Sequence, residues 1–318
     1  MLPDWTTFPA GSVTDLQLTP DVGADITVAC RVIRGARPGP TLLVTAGVHG
    51  AEYASIEAAV RVMTTRPDDL AGTLVVLPIV NPPAYQARSV YINPVDGKNL
   101  NRSFPGRPDG SYAERLADWL TTGFITRADV FLDLHGGDLV EALEPFTVIP
   151  AGDEQALTLG RVFGLPHLTV SSGQVMSISA ARAAGVPSVI AEAGGQGLWP
   201  EPAIALLTDG VRRVLGHLGM VADPPAALPV QEYAALAWLS APVPGLWYPE
   251  VQVGEQAAAG QRVGTIRDVF GTLLAEMTAP ESGTVLFAVT SLAMNAGDPL
   301  CGIGAPFPGG IPCLNLSV

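Results

Sequence analysis

The chain has 318 residues and a formal net charge of −13 at pH 7, and Lys98 is the only lysine among its 17 basic residues. That balance excludes a nucleic-acid surface, which needs clustered cations, and argues against a polybasic membrane patch. With 48% hydrophobic residues the chain can bury a sizeable core, in one large domain or in a large and a small one. From the N-terminus, residues 26–34 and 41–46 read as apolar, β-branched strands separated by turn signals over 35–40. Residues 53–63 place Ile56, Ala59, Val60 and Met63 at helical spacing with no Gly or Pro. A strand over 74–79 ends at Asn81-Pro82-Pro83. Residues 81–110, rich in Asn, Pro, Gly and Arg, read as a loop, and one this long inside a domain is usually functional. A helix over 113–121, a strand over 130–134, helices over 155–163 and 177–184, a strand over 187–191 and a helix over 204–218 follow. Strands alternating with helices predict a largely parallel or mixed sheet covered on both faces.

The texture changes near residue 222. Asp223-Pro224-Pro225 and Ala226-Ala227-Leu228-Pro229 read as a linker, and short apolar runs punctuated by Gly and Pro then predict a small all-β unit. The expected division is therefore residues 1–225 and 226–318. Within the second unit, Val251-x-Val253-Gly254-Glu255 and Thr278-Ala279-Pro280-x-Ser282-Gly283 resemble the barrel-sandwich hairpins of biotinyl and lipoyl carrier domains. A carrier function is excluded, because no lysine lies beyond residue 98. The uncharged stretches 162–181 and 299–318 approach the ~20 residues of a membrane span, but Gly, Pro and polar side chains break both. The N-terminal residues show no signal-peptide pattern. Three cysteines without a CxxC pair, Cys30, Cys301 and Cys313, fit reduced, buried thiols. A cytoplasmic protein without a membrane or nucleic-acid partner is expected. Edge strands of the β unit that need cover point to a homo-oligomer.

Two histidines carry the chemical signal. His49-Gly50-Ala51-Glu52 follows the strand over 41–46, and His135 ends Phe131-Leu132-Asp133-Leu134-His135-Gly136-Gly137. Open α/β sheets build their sites at the ends of strands, and two imidazoles with one carboxylate leave a zinc ion a position for water. The competing reading for His135 is a hydrogen-bonded strand-end imidazole. Flanking glycines suit the close approach of a ligand, whereas His167 and His217 read as structural or surface residues. Asp133 faces the same way as His135, either orienting its ring or serving as a buried hydrogen-bonded acid. There is no GxSxG nucleophile elbow, and Gly194-Gly195-Gln196-Gly197 lacks the pattern of a phosphate loop.

His49-x2-Glu52, Asn99-Leu100-Asn101-Arg102-Ser103-Phe104-Pro105-Gly106, Asp133-Leu134-His135 and Ala191-Glu192-Ala193-Gly194-Gly195 occur in an order that resembles the succinylglutamate desuccinylase/aspartoacylase family. That family is a branch of the zinc carboxypeptidase-like fold, and the resemblance spans roughly residues 26–310. It implies an α/β domain with a mixed central sheet flanked by helices, plus a small C-terminal all-β, barrel-sandwich-like domain. It further implies one zinc ion per chain on His49, Glu52 and His135, with Glu192 as general base and acid. Asn101 and Arg102 match the clamp for a substrate carboxylate, and Arg88 is the candidate for holding the developing oxyanion. An unpaired carboxylate at the end of the apolar strand 188–191 is itself costly to bury, although a glutamate bridging backbone would also answer it. One departure stands out: Asn99 replaces an acid often found two residues before the Asn, with an expected effect on how the arginine is held or on the substrate charge tolerated. The activity implied is hydrolysis of the amide of a small N-acylated amino acid or related amine. The alternatives are a zinc carboxypeptidase acting on peptides and a non-catalytic binding module. Substrate choice is expected to lie with residues 138–147, with 171–177 and with the rim of the β domain, where Glu141 and Glu144 could favour a cationic substrate end.

Overall fold

Strands buried along their whole length need cover on both faces, and this need shapes the first two-thirds of the chain. The computed structural model describes residues 4–305 and residue 307. It opens with β1 (Ser12–Leu18), β2 (Val28–Arg34) and β3 (Arg37–Ala46), then α1 (Tyr53–Val62), β4 (Ala71–Leu77) and α2 (Pro82–Ala87). Next come α3 (Tyr112–Gly123), β5 (Val130–His135), the short β6 (Glu141–Leu143), β7 (Phe146–Pro150) and α4 (Glu154–Phe163). β8 (His167–Ser171), α5 (Ser177–Ala183), β9 (Ser188–Glu192), α6 (Glu201–His217) and β10 (Gln231–Tyr233) complete this part. All these strands except β6 join one nine-stranded sheet in the order β1-β2-β4-β3-β5-β9-β7-β8-β10. β4, β3, β5 and β9 are parallel, while β2 and β7 pair antiparallel with their neighbours β4 and β9, so the sheet is mixed as expected.

β4 and β5 are buried at every position, and successive residues feed opposite faces. Leu42, Val44, Leu74 and Leu132 join the core under α1, α4 and α6. Leu43, Val75, Leu77 and Phe131 join the core under α3 and α5. The sheet sits between two helical layers, and its central parallel strands β3, β5 and β9 all end on the same edge.

The remaining strands are β11 (Ala235–Ser240), β12 (Gly245–Pro249), β13 (Gln256–Ala257), β14 (Arg262–Arg267), β15 (Leu273–Thr278), β16 (Gly283–Val289), β17 (Ala293–Met294) and β18 (Pro299–Ala305). They form two antiparallel sheets around a separate core that contains Trp247, Val263, Ile266, Val285 and Ile303. The expected all-β unit is present, but the two units trade strands across the expected boundary at 225/226. β10 lies beyond that boundary and pairs with β8 in the large sheet. β6, from the α/β part, pairs with β16, placing Leu143 opposite Phe287 and Glu141 opposite Val289.

Other differences have local causes. The stretch 81–110 is not wholly a loop, because Pro82 and Pro83 open helix α2; proline suits the first helical turn, where no N–H partner is required. β1, β7 and β8 escaped the periodicity reading: β1 is a half-exposed edge strand, and β7 and β8 are only five residues each. Cys30 and Cys301 are free and buried, whereas Cys313 lies outside the described residues. Among the described residues no helix is long and apolar enough to cross a membrane.

The shared strands make the two units one folding partner. A chain ending at residue 225 would lose β10 and the partner of β6, and would uncover Phe146, which packs with Tyr233 and Leu286. Such a chain is expected to aggregate and to lose the cooperative thermal transition; a near-native melting temperature by circular dichroism would contradict this.

Candidate metal centre

Three neighbouring strand ends deliver the site. β3 and β5 are parallel with Ala46 opposite Leu134, and β5 and β9 are parallel with His135 directly opposite Glu192. His49 lies just past β3. The glycines beside the histidines serve the backbone rather than a ligand. A Cβ on Gly50 would sit 2.1 Å from the Ala84 carbonyl carbon, and one on Gly136 would sit 2.5 Å from the Ala193 oxygen. Each glycine lets two chain segments touch and so fixes the histidine next to it.

Glu52 occupies the N-cap position of α1, yet its side chain caps nothing. It turns instead to the histidines: Oε1 lies 2.6 Å from His49 Nδ1 and Oε2 lies 3.0 Å from His135 Nδ1. The rings themselves meet edge to face at 5.2 Å. Burial alone would raise the Glu52 carboxyl, but His135 and His49 outweigh it and hold it down at about 2. Burial alone would lower both imidazoles, yet Glu52 raises His49, and Glu52 with Asp133 lifts His135 well above its ordinary value. The cluster is a well for positive charge, and a divalent cation would compete with those protons for the same lone pairs.

One donor atom from each of His49, Glu52 and His135 lies within 4.8 Å of the other two. Ligands of this kind bind zinc at about 2.0–2.2 Å, so small side-chain shifts would close the set around one ion. The outer nitrogens support the same arrangement. His49 Nε2 lies 3.1 Å from Asn99 Oδ1. His135 Nε2 is buried without a hydrogen-bond partner, although Asp133 Oδ2 is 3.1 Å away. That contact is misaligned, and Asp133 accepts instead from the hydroxyls of Thr45 (2.6 Å) and Ser177 (2.5 Å). An imidazole that binds metal through Nδ1 carries its proton on Nε2, and the nearby Asn99 and Asp133 oxygens would orient it. Asp133 is thus hydrogen-bonded as the reading without a metal role expects, and it stands beside His135 as the orienting reading requires. The Asn99 side chain meets His49, while its carbonyl accepts from the Arg102 backbone N–H at 3.1 Å.

A cavity of about 330 Å³ opens over these residues. Glu192 lines it, and burial pushes its carboxyl up to about 8. Asn101 is buried with Oδ1 accepting from the Ser177 backbone N–H at 3.0 Å, which leaves its amide N–H groups free to donate. Arg102 lines the cavity mouth. Its guanidinium donates to the Asn101 carbonyl at 2.9 Å, and desolvation lowers its pKa against the pull of Glu192. Glu141, Phe146, Ser172 and Met176 supply further wall, and the β unit contributes Leu236, Trp238 and Phe287. Glu144 is not part of this wall and faces Gly254.

Arg88 is not brought into the cavity. It is exposed, forms the left-handed C-cap of α2 with φ 51°, and lines a separate surface hollow with Tyr53, Tyr85 and Trp199. The cause is α2 itself, whose winding leaves Arg88 on the outer side. The cavity instead receives Tyr91, which the sequence reading passed over because a lone tyrosine in an aperiodic loop carries no signal.

The pattern of the succinylglutamate desuccinylase/aspartoacylase catalytic domain matches residues 38–218. The N-alpha-acetyl-L-2,4-diaminobutyric acid deacetylase of Halomonas elongata is 31% identical over 278 residues, covering 82% of this chain and 80% of that protein. A succinylglutamate desuccinylase/aspartoacylase of Rhodobacter sphaeroides superposes with a TM-score of 0.79 at 28% identity, covering 92% of this chain and 94% of that one. The product-bound ectoine utilization protein EutE (DoeB) of Ruegeria pomeroyi superposes with a TM-score of 0.82 at 26% identity, covering 94% and 97%.

Two outcomes test this centre. Asn99→Ala removes the oxygen beside His49 Nε2 and should weaken zinc binding about 10–100-fold, measured by chelator competition; unchanged affinity would deny Asn99 an orienting role. Burial raises the Glu141 carboxyl from 4.5 to about 7, so the folded protein holds that proton more tightly than the unfolded chain does. The resulting stabilisation is complete below about pH 4.5 and is lost as pH rises through about 7. Glu141→Gln should flatten melting temperature against pH across that window.

Proposed function

The chain belongs to the succinylglutamate desuccinylase/aspartoacylase family, and from that premise we propose that it is a zinc-dependent deacylase. Its substrate is a small N-acylated amino acid or a related amine, cleaved at the amide to a carboxylate and an amine. The observation that carries this reading is the convergence of the His49–Glu52–His135 donors with a half-buried, proton-holding Glu192, with His49, Glu52 and Glu192 all lining one cavity.

Zinc held by His49, Glu52 and His135 would supply Lewis acidity, which lowers the pKa of a bound water from ~15.7 toward ~7. Glu192 takes the proton of the attacking water and returns it to the departing nitrogen, one carboxyl acting first as base and then as acid. A carboxyl whose burial has raised its pKa can hold a proton between those two events. Arg102 has no carboxylate within ion-pair distance among the described residues, and its planar fork suits a substrate carboxylate. The Asn101 amide N–H is placed to add a donor beside it. Leu236, Trp238 and Phe287 give the cavity an apolar wall from the β unit.

The size of the cavity favours this reading over a peptide-trimming carboxypeptidase. About 330 Å³, partly roofed by the β unit, is at the small end of ligand pockets and suits an acyl amino acid better than a polypeptide. A non-catalytic binding module has no use for a carboxyl with a raised pKa beside a metal trio. The relative named for N-alpha-acetyl-L-2,4-diaminobutyric acid supports acetyl as an acyl group to try first.

The experiment is a screen of N-acetyl, N-succinyl and N-formyl amino acids with zinc present, read by release of free amine. Turnover should vanish with a chelator. Glu192→Gln should keep its zinc and lose at least 10²-fold in kcat; near-normal turnover by that variant would refute the base assignment.

A further inference from the structure

With Arg88 outside the cavity, Arg102 is the only lysine or arginine among the described residues that lines it, and no second one is at hand to help hold the developing oxyanion. The remaining donors in the wall are mostly engaged. Asn99 faces His49, the Gly136 N–H lies 3.3 Å from Glu52 Oε2, the Thr169 hydroxyl faces the Thr147 carbonyl, and Ser171 Oγ accepts from Gly173. Arg102 stands at the mouth, where the proposed function assigns it to the substrate carboxylate. Besides the Asn101 amide, assigned with Arg102 to the carboxylate, the phenol of Tyr91 is the donor whose backbone and side chain are both held in place by acids.

The build around Tyr91 is specific. Its backbone is left-handed with φ 58°, a conformation that bulky side chains rarely adopt and that clusters at functional sites. Asp138, in the loop after β5, and Glu141, the first residue of β6, hold it there. Asp138 Oδ2 accepts from the Tyr91 N–H at 2.8 Å, and Glu141 Oε1 accepts from the phenol. Glu141 is fixed in turn, because its Oε2 accepts from the Asp138 N–H at 2.7 Å. Upstream of the turn at 93–98, Asn93 Oδ1 accepts from the Val95 and Asp96 N–H groups and closes the far side of the loop. Glu141 feels the charge of Glu52, and Glu192 feels that of Glu141, so the phenol's anchor belongs to the same charge cluster as the metal trio and the proton-carrying Glu192.

The geometry points to Tyr91 as the side-chain donor to the oxyanion of the deacylation, with Glu141 as the residue that positions its phenol. This assignment rests on the deacylase reading. The phenol has a single proton, which faces Glu141 in this structure. Burial lets Glu141 hold a proton of its own. A protonated Glu141 can donate to the phenolic oxygen while the phenolic proton swings about the C–O bond toward the substrate. The ring stays where it is and no bond other than hydrogen bonds changes.

The test uses the zinc-loaded full-length chain and whichever N-acyl amino acid the screen turns over. Tyr91→Phe should keep its zinc and lose about 10²-fold in kcat, within the range for removal of one oxyanion donor, with a much smaller change in KM. Its affinity for a tetrahedral methylphosphonamidate analogue of that substrate, measured by calorimetry, should fall by a comparable factor. Glu141→Ala should lose most of kcat, and Glu141→Gln should recover it. The amide oxygen can face the Asp138 N–H while the amide N–H faces the phenol and directs its proton into the cavity. Arg88→Ala should turn over as the wild type does. An active wild type with an inactive Glu192→Gln but a fully active Tyr91→Phe would overturn the tyrosine assignment alone. A wild type inactive on every acyl amino acid would overturn the deacylase reading, and this assignment with it.

Discussion

The site depends on the parallel alignment of β3, β5 and β9. Adjacent strands lie about 4.8 Å apart, so groups at the ends of three neighbouring parallel strands must share one small volume, however distant they are in the chain. The register sets His135 beside Glu192 and brings the segment after β3 alongside the end of β5. Slipping β5 by one residue would send His135 to the opposite face of the sheet. Asp133 resists such a slip, since its two oxygens bind Thr45 of β3 and Ser177 of α5 while it sits under the His135 ring. A buried acid with both oxygens satisfied thus ties the central strands together at the depth where the chemistry begins.

Within that frame, one residue type takes opposite roles through its surroundings. Glu52 and Glu192 are both desolvated, which by itself raises a carboxyl. Two histidines turn Glu52 into a strong anion, whereas Glu192 keeps the effect of burial and can carry a proton. A carboxylate held as an anion and a carboxyl able to hold a proton therefore line the same cavity. Glu141 extends the pattern, being raised by burial although it accepts from Tyr91 and Asp138.

Strand exchange between the two units closes the cavity. β6 leaves the α/β part to pair with β16, and it carries Glu141 and Leu143 from the site directly into the second core. Trp238 and Phe287, in edge-to-face contact at 5.0 Å, stand over the same space. The β unit is a wall of the site as well as an appended domain, which is why the cavity is small and why its apolar end belongs to residues far along the chain.

Much of this was legible in the residues. The β-branched runs, the helix at 53–63 and the loss of helical spacing after 222 follow from local periodicity, which records which face of an element is buried. The His49-x2-Glu52 and Asp133-x-His135 patterns mark their chemistry because donor type and spacing are local properties. Long-range packing decided the rest. Arg88 and Tyr91 stand three residues apart in an aperiodic loop, and only the winding of α2 and the grip of Asp138 and Glu141 send one outward and the other into the cavity. Asn99 read as a neighbour of the arginine, and its contact with His49, 50 positions away in the chain, emerged only in the folded structure. The sequence by itself determined most of the elements, the candidate metal-binding residues and the family; the tertiary structure decided which loop side chains reach the site and which strands the two units exchange. Side-chain direction in an irregular segment, and the partner of an edge strand, are set by contacts between residues far apart in the chain, and no local pattern records them.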